Sequence, residues 1–245
     1  MADEYAVEAW KIAQAYRAEW PQSSFLAQLD TPVLRDFVAA GELVRFGQGD
    51  VLLAEGETAS NAFLLLDACV KVTGQLDAGG QALLAIRVGG DIVGEIAIFD
   101  AGDRTATVSA CAHDEVVAVR LDRDDLLSLL GRHPDAGISL TSAVSRKLRA
   151  ATRRRVDITG CAARVRMARA VLELAEDYGR PSVRGTGILI GVNLTQVELG
   201  TLIGVHETTA QRALRGLRKD GLVKNSGRRL LVPDMAALRS AAWPG

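Results

Sequence analysis

Cysteine and histidine are scarce in this 245-residue chain, three of each, and their placement excludes more than their number does. Cys69, Cys111 and Cys161 are odd in number, far apart in sequence and without C-x-x-C spacing. That predicts neither a disulfide framework nor a zinc or redox motif, and all three read as buried small hydrophobes. His113, His133 and His206 are equally scattered, none at i, i+4 from another ligand, so no bound metal and no cofactor are expected. Charges interrupt every apolar run before it reaches the roughly 18 residues of a membrane span. The acidic start, Met1-Ala2-Asp3-Glu4, leads into no basic-then-apolar leader. A soluble, cytoplasmic protein without membrane contact is predicted. No nucleophile–base pair or metal cluster converges, so it is not expected to be an enzyme.

What is present is an ordinary globular composition, 48% hydrophobic and 24% charged, in a length that suits two modest domains. The net charge of −1 hides an asymmetry. From Arg164 onward there are 13 Lys and Arg against 7 Asp and Glu, so this part carries +6 and the rest −7. A basic unit joined to an acidic one suits a nucleic-acid-binding module on a sensor.

Tyr5 to Trp20 places Val7, Trp10, Ala13 and Tyr16 at helical spacing before Pro21, an amphipathic helix that packs on the next domain. From Glu42 to Leu121 the texture changes to short apolar segments: Glu42–Phe46, Val51–Ala54, Ala62–Leu66, Cys69–Leu76, Ala82–Val88, Thr105–Cys111 and Val116–Leu121. Gly, Asp and Asn punctuate them as in an antiparallel barrel or sandwich. After Pro134, the residues Thr141, Val144, Leu148, Ala151, Arg155 and Ile158 follow a heptad seam. This predicts a long helix pairing with its twin, the alternative being one helix packed on its own domain. Arg153-Arg154-Arg155 reads as a solvated face. The resulting division is a helical extension over 1–21, a β domain over 22–133, a dimerisation helix over 134–160 and a basic domain over 161–245.

Within the basic domain, Thr195-Gln196-Val197-Glu198 has the spacing of a capping box, ahead of apolar Leu199, Leu202 and Ile203. Gly204 suits a sharp interhelical turn. A second helix, from about Glu207 to Asp220, buries Ala210, Leu214 and Leu217 and turns Thr208, Gln211, Arg212, Arg215 and Lys219 elsewhere. Leu222 to Val232 then forms a hairpin with Arg228 near its tip. The order is that of a winged helix-turn-helix, with a basic hairpin for protein contact as the alternative. Thr195, Gln196, His206, Glu207, Thr208, Thr209, Gln211, Arg212, Arg215, Lys219 and Arg228 are the candidate DNA contacts. Arg212 is the base reader; Arg215, Lys219 and Arg228 meet phosphates.

Between strands, the segment from Gly94 to Thr105 combines a glycine turn, a short apolar helix and an Arg-Thr pair. Helix-start amides, Thr105 and Arg104 suit phosphate oxygens, and Glu95 suits a sugar hydroxyl. The bland alternative for Arg104 is a surface arginine paired with Asp103 or Asp100. Taken with the flanking strands, the long helix and the helix-turn-helix, the chain from about Phe25 onward resembles the Crp-Fnr family. The resemblance implies an α+β protein: an N-terminal cyclic-nucleotide-binding β-roll of jelly-roll type, a long dimerisation helix and a C-terminal winged helix-turn-helix. It implies a homodimeric transcription regulator controlled by a cyclic nucleotide such as cAMP, acting on near-palindromic double-stranded DNA, with RNA polymerase as a further partner. Gly94, Glu95, Arg104 and Thr105 would hold the ribose and cyclic phosphate, and Thr152 would meet the base. The chain departs from the family pattern at Ala151-Thr152, where Thr-Ser is frequent. It departs again at His206-Glu207-Thr208-Thr209-Ala210-Gln211-Arg212, where only Thr209 and the final arginine persist. Two other readings stay open: DNA binding that is constitutive or answers another ligand, and a cyclic-nucleotide-binding protein acting through protein contacts.

Overall fold

The structure, a computed structural model, describes residues 2–244 apart from 78, 101, 112–114, 183–184 and 228, with side chains from residue 5 onward. In chain order the first elements are α1 (Ala2–Tyr16), α2 (Thr31–Ala39), β1 (Glu42–Phe46), β2 (Val51–Leu53), β3 (Asn61–Asp67), β4 (Cys69–Gln75), β5 (Gln81–Val88) and β6 (Ile92–Val93). Next come α3 (Glu95–Asp100), β7 (Thr107–Ala110), β8 (Val116–Asp122), α4 (Arg123–Arg132), α5 (Pro134–Gly160) and α6 (Ala163–Tyr178). The chain ends with β9 (Gly179–Pro181), β10 (Ile188–Ile190), α7 (Gln196–Leu202), α8 (Glu207–Lys219), β11 (Lys224–Ser226), β12 (Arg229–Val232) and α9 (Met235–Ala242). Contacts divide it into two compact units, Met1–Gln81 with Ala85–Leu148, and Ala82–Leu84 with Arg149–Gly245. The division falls inside α5.

The first unit rests on two four-stranded sheets, ordered β1-β8-β3-β6 and β2-β7-β4-β5. Alternation along β3 shows how they are held. Ala62, Leu64 and Leu66 enter a core shared with α1, α2, α4 and α5, while Phe63 and Leu65 enter a second core with Leu53, Val70 and Val108. A strand with both faces buried needs an apolar side chain at every position, which is why this segment reads as a continuous apolar run rather than as an alternation. Phe25 and Phe37 are sealed in the helix-side core with ring centroids 5.6 Å apart. Each contributes roughly 2–3 kcal/mol by burial.

All seven strand segments read from the sequence are strands, with ends moved by up to two residues. The first helix differs from its expectation. It ends at Tyr16 and passes into a 3-10 turn at Arg17–Glu19. It buries Ala9 and Ala13 with Trp10, Ile12 and Tyr16 beside them, whereas Val7 is 53% exposed. Two alanines let the helix axis approach the sheet closely, so the stripe is set by small residues rather than by Val7.

In the second unit α6 buries Met167, Val171, Leu172 and Leu174, and a sheet ordered β11-β12-β10-β9 lies beside the helix-turn-helix. β6, β9 and β10 went unread because two or three residues show no periodicity, and β9 carries a proline. Of the arginine run, Arg153 and Arg155 are exposed, as expected of a solvated face, and Arg154 is half-buried. Arg154 pairs with Glu173, and the Arg153 guanidinium lies 5.4 Å from the Trp243 ring centroid. Among the described residues no helix is long and apolar enough to cross a membrane.

Candidate effector site and nucleic-acid interface

The segment between β6 and β7 gathers four of the residues read from the sequence. Gly94 has φ of +89°, and a Cβ there would stand 2.8 Å from a terminal nitrogen of Arg104 and 2.9 Å from Leu53 Cδ1. Only glycine meets both demands. The chain then enters α3 at Glu95, which is 2% exposed. A carboxylate buried this deeply needs a partner. It has one in Lys147 of α5, whose Nζ lies 2.8 Å from Glu95 Oε1 and donates to the Ile92 carbonyl at 2.7 Å. Sequence reasoning missed Lys147, which sits among Arg146, Leu148 and Arg149 with nothing to distinguish it from solvated neighbours.

Arg104 is 5% exposed and donates through Nη2 to the carbonyl and Oδ1 of Asn61, at 2.8 and 2.9 Å. Its Nε and Nη1 are buried without a hydrogen-bond partner. This is not the surface arginine of the bland reading: Asp103 instead accepts from Thr58 at 3.4 Å, and Asp100 accepts from the Gly102 amide at 3.1 Å. Burial pushes the Arg104 guanidinium below its ordinary pKa, with the charge of Glu57 acting in the opposite direction. Gly94, Glu95, Arg104, Thr105, Arg87 and Lys147 line a cavity of about 120 Å³. Buried N–H donors left open beside an exposed Thr105 hydroxyl suit an anion, and Glu95 opposite suits a hydroxyl group. Thr152 belongs to the second unit and is exposed.

The capping box forms as read. Thr195 Oγ1 accepts from the Glu198 amide at 3.1 Å, and the Thr195 amide donates to Glu198 at 2.8 Å. After α7, Gly204 takes φ of +67° and the Val205 amide reaches the Gly200 carbonyl at 2.9 Å, turning the chain toward α8. Helix α8 buries Ala210, Ala213, Leu214 and Leu217. Thr208, Arg212, Arg215 and Lys219, at steps of four, three and four, share one exposed face. His206, Glu207 and Thr195 are exposed; Gln196, Thr209 and Gln211 are half-buried, and Gln211 donates to Glu207 at 3.1 Å. Arg228 lies outside the described residues. Arg218, which the sequence did not single out, turns inward; burial lowers its pKa.

A small cleft with open guanidinium donors in a β-roll, joined in one chain to a helix-turn-helix with a basic outer face, defines the class: an effector-controlled, DNA-binding transcription regulator. Residues 43–133 match the family model of the cyclic nucleotide-binding domain, and residues 165–241 match that of the Crp-like helix-turn-helix domain. The chain belongs to the Crp-Fnr family. It is 31% identical over 199 residues to the CRP-like cAMP-activated global transcriptional regulator of Mycobacterium tuberculosis, covering 81% of this chain and 87% of that one. It is 27% identical over 198 residues to the cyclic AMP receptor protein of Thermus thermophilus, covering 81% and 87%. Its fold is similar to that of the c-di-GMP responsive global regulator CLP of Xanthomonas campestris, with a TM-score of 0.69 and 20% identity over 84% of this chain and 100% of that one.

Proposed function

We propose that the chain works as a homodimer whose affinity for DNA is set by cyclic AMP in the cavity at Arg104. The observation that carries this reading is the pair of buried, unpartnered guanidinium nitrogens on Arg104. A cyclic phosphate supplies the acceptors they lack, with Thr105 donating a further hydrogen bond, while the ribose hydroxyl donates to Glu95. Glu95 is also the partner of Lys147 on α5. A ribose that competes for the same carboxylate changes how α5 is held, which gives the effector a route to the helix that joins the two units. Thr152 on α5 meets the base.

Ile138, Leu148 and Val156 of α5 are 67, 66 and 63% exposed in the single chain. These apolar side chains support dimerisation through α5. Two copies of α8 then face a near-palindromic duplex. Arg212 grips a guanine edge; Arg215, Lys219 and Arg228 neutralise phosphates, with Thr195, Gln196, His206, Glu207, Thr208, Thr209 and Gln211 completing the contact surface. The reading extends to a cytoplasmic protein with RNA polymerase as a further partner and no catalytic activity of its own; the relative in Mycobacterium tuberculosis is named a transcriptional regulator.

A second reading, a different cyclic nucleotide as effector, is favoured by one observation: Ala151-Thr152 stands where Thr-Ser is frequent in the family. Titration calorimetry of the full chain with cyclic AMP, cyclic GMP and cyclic di-GMP, repeated as DNA binding with each, separates the two. Saturable heat with cyclic AMP and tighter DNA binding in its presence are expected. Heat with cyclic di-GMP alone selects the second reading, and heat with none refutes both.

A further inference from the structure

The three cysteines read from the sequence as unrelated, yet two of them meet. Cys69 opens β4 and Cys111 follows the last residue of β7, so the antiparallel register that pairs Val70 with Ala110 sets them opposite one another at its next step. The Cys111 amide donates to the Cys69 carbonyl at 2.9 Å, and the two sulfurs stand 2.9 Å apart. Facing residues of a hydrogen-bonded antiparallel pair hold their Cα atoms about 5.5 Å apart, inside the span that a disulfide requires. Closing the sulfurs to about 2.05 Å therefore asks for side-chain adjustment rather than strand movement. Both residues are half-buried, so neither is sealed from small reagents.

Cys69 is also held toward its thiolate form. A hydrogen bond from Cys111 holds its thiol below the ordinary range; burial opposes this, and the charge of Lys71, two residues along the same strand face, adds to it.

We propose that Cys69 and Cys111 form a reversible thiol–disulfide site, oxidised by peroxides or by low-molecular-weight disulfides and restored by dithiols. With a peroxide, the Cys69 sulfur attacks one oxygen, the O–O bond breaks, and a sulfenic acid and one water result. The Cys111 sulfur then attacks the Cys69 sulfur; the S–S bond forms, the S–O bond breaks, and a second water carries off the Cys111 proton. The two thiols lose two electrons and two protons, and the peroxide takes up both. The bond ties β4 to one end of β7, the strand whose other end begins two residues after Thr105. The redox state and the cavity thus share a strand, although the thiol site does not depend on which effector the cavity takes.

The test uses the full chain, treated separately with hydrogen peroxide and glutathione disulfide, alkylated and mapped by mass spectrometry without reduction. A Cys69–Cys111 link within one chain is expected, with Cys161 still alkylated and dithiothreitol restoring both thiols. C161S forms the link as the unaltered chain does; C69S and C111S form none, and with glutathione disulfide each carries a mixed disulfide at the cysteine that remains. The proposal is overturned if both cysteines stay alkylatable while Cys161 is modified, if links form only between chains, or if Cys69 passes to sulfinic acid without pairing.

Discussion

Arg104 owes its chemistry to enclosure. Its guanidinium bonds to Asn61 through one nitrogen and leaves two others buried and open, a cost to the empty protein that an anion removes. Arg104→Gln therefore separates binding from folding. Cyclic nucleotide affinity should fall about 100-fold, near 2.7 kcal/mol, since charge-assisted hydrogen bonds are lost. The melting temperature without ligand should stay level or rise, because an unsatisfied cation has left the interior. Calorimetry and a thermal melt on the same preparation check the pair, and a large drop in melting temperature would make Arg104 a structural residue instead. Which residue types gather in the segment from Gly94 to Thr105 was legible in the sequence, because they are neighbours in the chain. Asn61 and Lys147 were not, since each reaches the segment from another element and neither type is distinctive where it stands.

At the scale of elements, the helix-turn-helix was the most readable part. Its determinants are local: a capping box within four residues, a glycine at the turn, and an outer face spaced along a single helix. Thr195→Ala deletes the acceptor for the Glu198 amide and the hydroxyl that donates to the Glu198 carboxylate, leaving only the backbone half of the box. A loss of about 1 kcal/mol is expected, seen as a lower midpoint in urea, with Thr195→Ser restoring most of it. Strands β9 and β10 and the helix α9 were unreadable for the complementary reason. A strand such as β10 exists because β12 pairs with it, Ile188 against Val232, and not because its own residues insist on extension. The stripe on α1 was legible in part: Trp10, Ala13 and Tyr16 pack on the core as helical spacing offered, while Val7 stays exposed and Ala9 is buried instead.

For the whole molecule, the long helix carries the consequence. Leu148 is 66% exposed within one chain, so Leu148→Glu should change the fold of a single chain by no more than about 0.5 kcal/mol. In a dimer built on α5 the same substitution buries two carboxylates against each other. Sedimentation should then show a shift from dimer to monomer, and affinity for a palindromic site should fall about tenfold or more, because each monomer brings one recognition helix. A dimer that persists unchanged would move the interface away from this face of α5. The charge division, +6 from Arg164 onward and −7 before it, predicts in the same spirit which unit approaches a polyanion.

The amino-acid order by itself determined the features written within a few residues: the short apolar runs of the strands, the cap of α7, the turn at Gly204 and the basic face of α8. Periodicity and capping act over one turn or one strand, where the chain cannot avoid its neighbours. Only the tertiary structure decided that Cys69 meets Cys111 across 42 positions and that Lys147 meets Glu95 across 52. Strand register and helix packing fix such meetings. These arise from the joint burial of many apolar side chains, which no single segment encodes.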